Sequence, residues 1–516
     1  MKNALPDNAR GSHVFALCVS VLAAFVALMI CSMNSFLYSA NPWVDVNCFV
    51  TVTRGWMNGL LPYRDLAEQK GPLLYLIHMP ALLAFPRSYH GLFFLELVEV
   101  TAALFIMWKI ARLYAPRLSA LWLIPLAALL CATFGFQMGD SAEETCWPLV
   151  LASMYAALRA WRTGRPISMK GYLLHGFLAG CVLWIKFNQL GPHFVFMAML
   201  AILAVWEDRS VARALRMCGM FLLGMLLATV PWLVYFAARG ALGDFLGMYL
   251  IDNIFGYTTS NRTDLNFTAY YTARAFWQNK PLTLALAVAA LRVLTLRRAR
   301  MGRREKAYLA LTAIVLLLAV YGGGRFWNYY ILAFAPLCAL ALPALEGVEA
   351  LIRRGLSKLS GALARRAAAA GLALVLLLGS AGFAWKVCDN VPMIGVPFGE
   401  TPIGRLSAIV TAEEDRTLVN FGVLDLGLYF AADVQPVTRY FCALNNYGAR
   451  AARDQTALLM DKRVNFVVTR DYTLEDYATY FRENDDILED DFDPDYRQVA
   501  HEGDYYLFQR NGTREE

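Results

Sequence analysis

The chain has 516 residues, 58% of them hydrophobic and only 17% charged, with a mean hydropathy of +0.42. Soluble domains carry about 25% charge, so a wholly soluble protein is excluded, and the composition describes an integral membrane protein with a soluble part. The net charge of +6 says less than the places where the charges fall.

The first apolar run, Val14 to Met33, is long enough to span a bilayer as a helix, which needs about 20 residues. It exceeds the apolar core of a signal peptide, and no small-x-small cleavage pattern follows it, since Tyr38 spoils Tyr-Ser-Ala. It reads as an uncleaved anchor over about 14–35. Lys2 and Arg10 place its N-terminus in the cytoplasm, so the next stretch lies outside. That stretch, Asn41 to Leu73, holds Asp45, then Asp65 and Glu68, then Lys70 ahead of Gly71-Pro72. Its middle, Phe49 to Leu61, is too polar to cross a membrane. Charges this dense beside a span point to a site at the water–lipid boundary. Gly71 to Phe85 is too short, at about 1.5 Å per residue, for a core of about 30 Å, and Pro80 interrupts it. It is expected to be a re-entrant or interfacial helix. Such backbone needs protein or a watery cavity around it, which sets Lys70 to Pro72 against a cavity.

The later runs alternate. The run 92–113 ends inside at Lys109, Arg112 and Arg117. Span 119–136 goes out to the turn Gln137 to Thr145, and 146–160 returns to Arg159, Arg162, Arg165 and Lys170. Spans 172–186 and 191–206 meet outside at Lys186 to Gln189. Span 217–237 leads to an outer loop, Arg239 to Lys280, and 281–296 returns to the basic cluster Arg297 to Lys306. Span 307–321 rises to Gly322 to Tyr330, 331–345 returns to Arg353 and Arg354, and 368–386 goes out. This makes about eleven spans, with every basic loop on one side. The ten cysteines show no metal-ligand spacing. Most fall in apolar runs as small hydrophobes; Cys388 and Cys442, both outside, could pair.

From Cys388 the character changes. β-rich runs (Thr417 to Val423, Val437 to Phe441, Phe466 to Thr469, Tyr505 to Phe508) alternate with helical patterns such as Ala449 to Lys462. Residues 387–516 read as a small extracytoplasmic soluble α/β domain after a membrane domain at 1–386. The acidic tract Glu483 to Asp495 lacks EF-hand order and reads as a solvated face. Asn261, Asn266 and Asn511 each open an Asn-x-Thr tripeptide.

The outer face gathers carboxylates and cations together. Asp45 follows the first span, and Asp140, Glu143 and Glu144 sit in one outer turn. Glu96 and Glu99 share a helix face. Lys70, Lys186 and Arg325 stand at outer ends. Carboxylates in membrane segments are expensive and usually functional or paired. Each alone has a structural reading, such as a helix cap for Asp45 or an interface anchor for Arg325. Together they describe a cavity able to hold a phosphate and deprotonate a hydroxyl.

This layout resembles the GT-C class of membrane glycosyltransferases, in the branch with protein O-mannosyltransferases and the lipid A aminoarabinose transferase. The matching positions are Asp45 after the first span, Pro62 through Lys70-Gly71-Pro72-Leu73, Asp140 in the next outer turn, and Arg325 with Tyr329. The chain departs from the pattern at Val46, where a second carboxylate often stands, at Gly71 in place of a proline, and at Asn328 in place of a histidine. The resemblance covers about 1–386. It implies a GT-C-like polytopic α-helical membrane protein with a large first outer loop. It implies inverting transfer of a sugar from a polyprenyl-phosphate donor to a hydroxyl of a lipid, glycan or protein acceptor, on the outer face of what would be a bacterial plasma membrane. In that reading Asp45 is the base and Asp140 positions the acceptor. Lys70 and Arg325 hold the donor phosphate, with Lys186 as a lesser third cation; Asp65, Glu68 and Tyr329 are candidate substrate contacts, and Glu143 and Glu144 are either such contacts beside Asp140 or part of a solvated turn. The partners are the donor, the acceptor and membrane lipids, with no nucleic acid. No cofactor is specified, and the use of a divalent cation stays open. The rival classes are a lipid-linked sugar or polysaccharide transporter, expected to show broken midplane spans and repeats, and a non-catalytic assembly protein, which needs no Asp45 with Lys70.

Overall fold

A computed structural model describes residues 9–256, 265–297, 299–443, 448–483, 492 and 494–512. The chain forms two compact units. One comprises Met1–Ser35, Phe93–Pro231 and Thr259–Pro392; the other comprises Phe36–Leu92, Trp232–Thr258 and Met393–Glu516. The tripeptide from Asn261 and most of the acidic tract lie outside the described residues.

The first unit is helical, and the protein is an integral membrane protein. Five helices are long and apolar enough to cross a bilayer: Gly11–Cys31, His90–Tyr114, Val211–Ala238, Asn328–Ser357 and Ala362–Val387. The other expected runs form helices that are either shorter or less apolar, among them Leu123–Cys131, Ala142–Thr163, Met169–Lys186, Gly191–Trp206, Lys280–Thr295 and Arg303–Tyr321. Local chemistry sets their ends. Ser141 caps Ala142–Thr163 by accepting from the Glu144 N–H at 3.1 Å, and Gly164 closes that helix at φ +67°. Leu215, Leu222 and Leu226 on Val211–Ala238 are exposed, as a face turned to lipid requires. The opposite side meets Met169–Lys186 at backbone distance. A Cβ on Gly176 would come within 1.9 Å of the Phe221 carbonyl oxygen, and one on Gly224 within 2.1 Å of that of Leu173. Small residues let membrane helices approach this closely.

The run expected as an α-helical span over 331–345 differs. Asn328–Leu340 is a 3-10 helix with Pro336 inside it, followed by a short 3-10 turn, Leu342–Leu345, that carries Pro343. Proline has no N–H to give an α ladder, and the tighter winding recurs along the whole segment.

In the second unit the polar middle of the first outer stretch is the helix Val44–Met57, buried from Asp45 through Thr53. Pro72 opens the helix Pro72–Ala84 at its first turn, where proline is favoured. Its 13 residues and internal Pro80 match the short helix expected there. Gly247–Gly256 is wound as a π-helix. The C-terminal residues supply β1 (Leu418–Asn420), β2 (Phe466–Arg470), β3 (Tyr496–Glu502) and β4 (Tyr505–Arg510), in the order β1-β2-β4-β3. β1 and β2 are parallel and the other pairs antiparallel. Phe466 to Thr469 are all buried, as expected for a strand covered on both faces. Gly503, at φ +62°, turns the β3–β4 hairpin. Val437 to Phe441, expected as a strand, forms turns and bends instead, whereas β3 was not anticipated because its Arg, Gln, His and Glu lack an apolar alternation.

Residues 425–442 pack on the helix Val44–Met57. Thr51 Oγ1 donates to Asp425 Oδ2 at 2.5 Å, and Arg54 pairs with Asp433. The Cys48 and Cys442 thiols lie 3.8 Å apart, and Cys388 Sγ stands 4.0 Å from the Cys31 carbonyl oxygen. Each of the two cysteines considered for a mutual bridge therefore has a different cysteine as its neighbour, and all ten are free thiols.

Candidate functional site

The second unit brings three of the expected residues together. Asp45 lies in the first turn of Val44–Met57, and Lys70 directly precedes the Gly71-Pro72 helix start. Lys70 Nζ is 3.6 Å from Asp45 Oδ2 and 3.9 Å from Glu68 Oε1, and it sits 5.1 Å from the centre of the Phe49 ring. The backbone of Lys70 is held at both ends. Its N–H donates to Glu68 Oε2 at 2.8 Å, and its carbonyl accepts from Tyr63 Oη at 2.8 Å and Tyr75 Oη at 3.2 Å. Tyr75 Oη also donates to Glu68 Oε2. Asn253, on the π-helix, donates to the neighbouring Gln69 carbonyl at 2.7 Å. Asp45 is 8% exposed, Lys70 5% and Glu68 1%. At such depth the ion pair is weakly screened. Its members are preorganised by second contacts, which is what a catalytic constellation requires.

Asp65 does something else. Its carboxylate accepts from the Leu61 N–H at 2.7 Å and from Arg64 at 2.9 and 3.0 Å, closing the turn between them. The Arg64 guanidinium holds the Asp65 carboxyl below the usual carboxylate range.

The first unit holds a second assembly. Glu96 Oε2 accepts from Ser32 Oγ at 2.6 Å and Asn34 Nδ2 at 2.9 Å, and Oε1 accepts from the Asp140 N–H at 2.9 Å. Gly139, at φ +91°, makes this possible: a Cβ there would fall 2.3 Å from Glu96 Oε1 and 2.5 Å from Ser32 Oγ. Glu99 accepts from Thr145 Oγ1 at 3.3 Å. Glu144 is fully buried, and neither of its carboxylate oxygens has a hydrogen-bond partner. Lys186 pairs with Glu143, and its ammonium lies 4.9 Å from the ring centres of both Tyr329 and Tyr330. Arg325 lies half-buried on the segment between Arg303–Tyr321 and Asn328.

Thus Asp45, Glu68 and Lys70 form one group. Glu143, Lys186 and Tyr329 form another, and Asp140 joins Glu96. Among the described residues, no three or more His, Cys, Asp or Glu side chains are arranged to hold a metal ion. Sequence reasoning did not single out Ser32, Asn34, Tyr63 or Tyr75. Tyr75 stands in the first turn after Lys70, which is the one positional signal that could have drawn it in.

No family model matches the chain, and no curated protein matches it by sequence. Its fold is nonetheless similar to solved structures. The crystal structure of ArnT from Cupriavidus metallidurans bound to undecaprenyl phosphate superposes with a TM-score of 0.61 at 14% identity, covering 98% of this chain and 99% of that one. ArnT from Cupriavidus metallidurans in the apo state gives 0.58 at 14% identity, covering 97% and 98%. The chain therefore has the ArnT fold over nearly its whole length, and the GT-C resemblance read from its sequence stands at the level of fold.

Proposed function

We propose that the protein is a GT-C-type glycosyltransferase that moves a sugar from a polyprenyl-phosphate donor to a hydroxyl of a lipid, glycan or protein acceptor, with inversion. The observation that carries this reading is the buried Asp45–Lys70 pair, 3.6 Å apart, in a chain of this fold. The acceptor oxygen bonds to the anomeric carbon as Asp45 takes its proton. The bond from that carbon to the phosphate oxygen breaks, and polyprenyl phosphate leaves with the electron pair. Proton abstraction by a carboxylate within hydrogen-bond reach is general-base catalysis. The leaving phosphate gains charge, which the adjacent ammonium of Lys70 stabilises. Glu68 and Phe49 position that ammonium.

Asp140 as acceptor-positioning residue, with Lys186 and Arg325 as further cations, are roles taken from the resemblance. The count of about eleven spans, the cytoplasmic N-terminus and the extracytoplasmic placement of 387–516 as the soluble part rest instead on the apolar runs and the one-sided basic loops.

The test uses purified protein in bilayer discs with a polyprenyl-phosphate sugar and a hydroxyl acceptor. Release of polyprenyl phosphate coupled to acceptor glycosylation is the expected result. In vesicles, movement of the donor across the bilayer without release would instead identify a transporter. A reporter active only in the cytoplasm should work fused after Arg300 and fail after Glu400; activity at Glu400 would overturn the topology.

A further inference from the structure

The first unit carries an open groove of about 540 Å³ that the transfer reaction does not use. Leu129, Ala132, Leu284 and Phe383 give it apolar walls, and Gln278, Lys280 and Asp389 stand among its lining residues with Trp277. Three helix ends meet here. Lys280 begins Lys280–Thr295, Asp389 lies two residues beyond Ala362–Val387, and Phe134 begins the turn after Leu123–Cys131. Leu284 lies one turn, about 6 Å, along the helix from Lys280, and Phe383 one turn before Val387. Polar groups thus occupy one level and apolar groups the next turn in, which is the polarity profile of a lipid's upper end. Trp277 and Leu284, 72% and 58% exposed, leave the side of the groove open.

The two charges are held by neighbouring buried asparagines. Asn279, fully buried, accepts from Thr133 Oγ1 at 3.2 Å and from the Gly135 N–H, and donates to the Ala275 carbonyl at 2.8 Å. This fixes the backbone next to Lys280. Asn390, also buried, donates to the carbonyls of Cys31 and Gln137, each at 2.7 Å. This fixes the backbone next to Asp389. The groove therefore presents an ammonium and a carboxylate on anchored backbone above an apolar slot. Lys280 has its Nζ 5.1 Å from the centre of the Trp277 ring.

We propose that this groove is a binding site for a zwitterionic phospholipid, with the lipid phosphate on Lys280, its primary ammonium on Asp389 and its first methylenes along Leu284 and Phe383. Charge complementarity selects this occupant. An anionic lipid satisfies Lys280 but meets the like charge of Asp389. A volume of this size lies within the usual range for ligand sites, about 300–1,000 Å³, and charge-assisted hydrogen bonds give the selectivity.

The test is native mass spectrometry of the delipidated full chain, titrated with phosphatidylethanolamine and, separately, phosphatidylglycerol, whose phosphate has no ammonium beside it. The wild type should retain one phosphatidylethanolamine about tenfold more tightly than phosphatidylglycerol, a difference of about 1.4 kcal/mol. Asp389→Asn should erase that preference. Lys280→Ala should weaken both lipids, with Lys280→Arg restoring them, and Leu284→Trp should block both by filling the slot. Equal retention of both lipids by the wild type would overturn the proposal, as would a preference that survives Asp389→Asn. Displacement of phosphatidylethanolamine by polyprenyl phosphate at equal concentration would also overturn it, by giving the groove to an anionic chain. Should Leu284→Trp fail to fold, the exposed Asp389→Asn and Lys280→Arg variants decide alone. None of these readouts depends on sugar transfer.

Discussion

Two buried carboxylate sites, one in each unit, are settled in opposite ways. Around Asp45 a cation lies within 4 Å of two carboxylates, and the hydroxyls of Tyr63 and Tyr75 fix the backbone and the second acid. Around Glu96 the donors are a serine, an asparagine and a backbone N–H, none of them charged, and Glu144 has no hydrogen bond to either oxygen. Removing one partner from an ion pair leaves a buried charge, whereas removing a neutral donor leaves an unsatisfied acceptor. The first defect costs more. In the proposed reaction the paired site would exchange one ionic partner for another as the phosphate leaves. The neutral-donor site is suited to holding a turn in place.

The sharpest way to break this contrast is Asp45→Asn. Sugar transfer should fall by about 10²–10⁴-fold, the usual contribution of a general base, while donor binding persists. Asparagine keeps the shape but cannot accept the proton. If Asp45 served only as a helix cap, asparagine would cap nearly as well and transfer would stay within a few-fold of wild type. Polyprenyl-phosphate release separates the two outcomes.

Lys70→Ala should lower donor use and also destabilise the fold by about 3–5 kcal/mol, because Asp45 and Glu68 lose their shared cation. Lys70→Arg should keep the fold and part of the turnover, since the charge survives in a broader fork. Thermal unfolding in detergent read beside turnover tests both. Stability unchanged in Lys70→Ala would mean that the ion pair is not maintained in solution.

A third measurement follows the helix Val44–Met57 on its other side. Burial pushes the Asp425 carboxyl up to about 6, against hydrogen bonds from Thr51, the Gly427 N–H and Asn420 that pull it down. Between about pH 4 and 6 the folded chain then holds a proton that the unfolded chain has lost. Stability falls as pH rises through this window, by up to about 3 kcal/mol, and levels off above it. Asp425→Asn should remove that slope. Identical pH profiles for the variant and the wild type would refute the assignment.

The smallest effect belongs to the neutral-donor site. Gly139→Ala places a methyl against Glu96 and Ser32 at a positive φ, and should cost about 1–3 kcal/mol in unfolding free energy.

Much of this was legible in the sequence, for stateable reasons. Asp45 and Lys70 announce themselves because charge beside a span needs an explanation, and Gly71-Pro72 marks a helix start that fixes where the lysine sits. The apolar runs gave the helices because length and periodicity are local properties. The tie of Glu96 to Ser32 was not legible, since it joins residues 64 apart through a turn that only Gly139 permits. Nor was the packing of 425–442 on Val44–Met57, which rests on single contacts such as Thr51 to Asp425. Strand β3 escaped because its residues carry no strand alternation, and its place is set by pairing with β4.

The winding of Asn328–Leu340 has a consequence of its own. A 3-10 helix advances about 2.0 Å per residue, against about 1.5 Å for an α-helix. These 13 residues therefore reach about 26 Å instead of about 20 Å, most of the roughly 30 Å thickness of a hydrocarbon core. The same 13 residues thereby cover about 6 Å more than they would as an α-helix. Three residues per turn also sort the side chains into straight files. Ile331, Phe334, Leu337 and Leu340 make a bulky file, while Ala333, Pro336 and Ala339 make a narrow one below Tyr330. Inserting a single residue into this stretch would rotate every later side chain by a third of a turn and exchange the files. The segment should tolerate substitution within a file far better than any change of length.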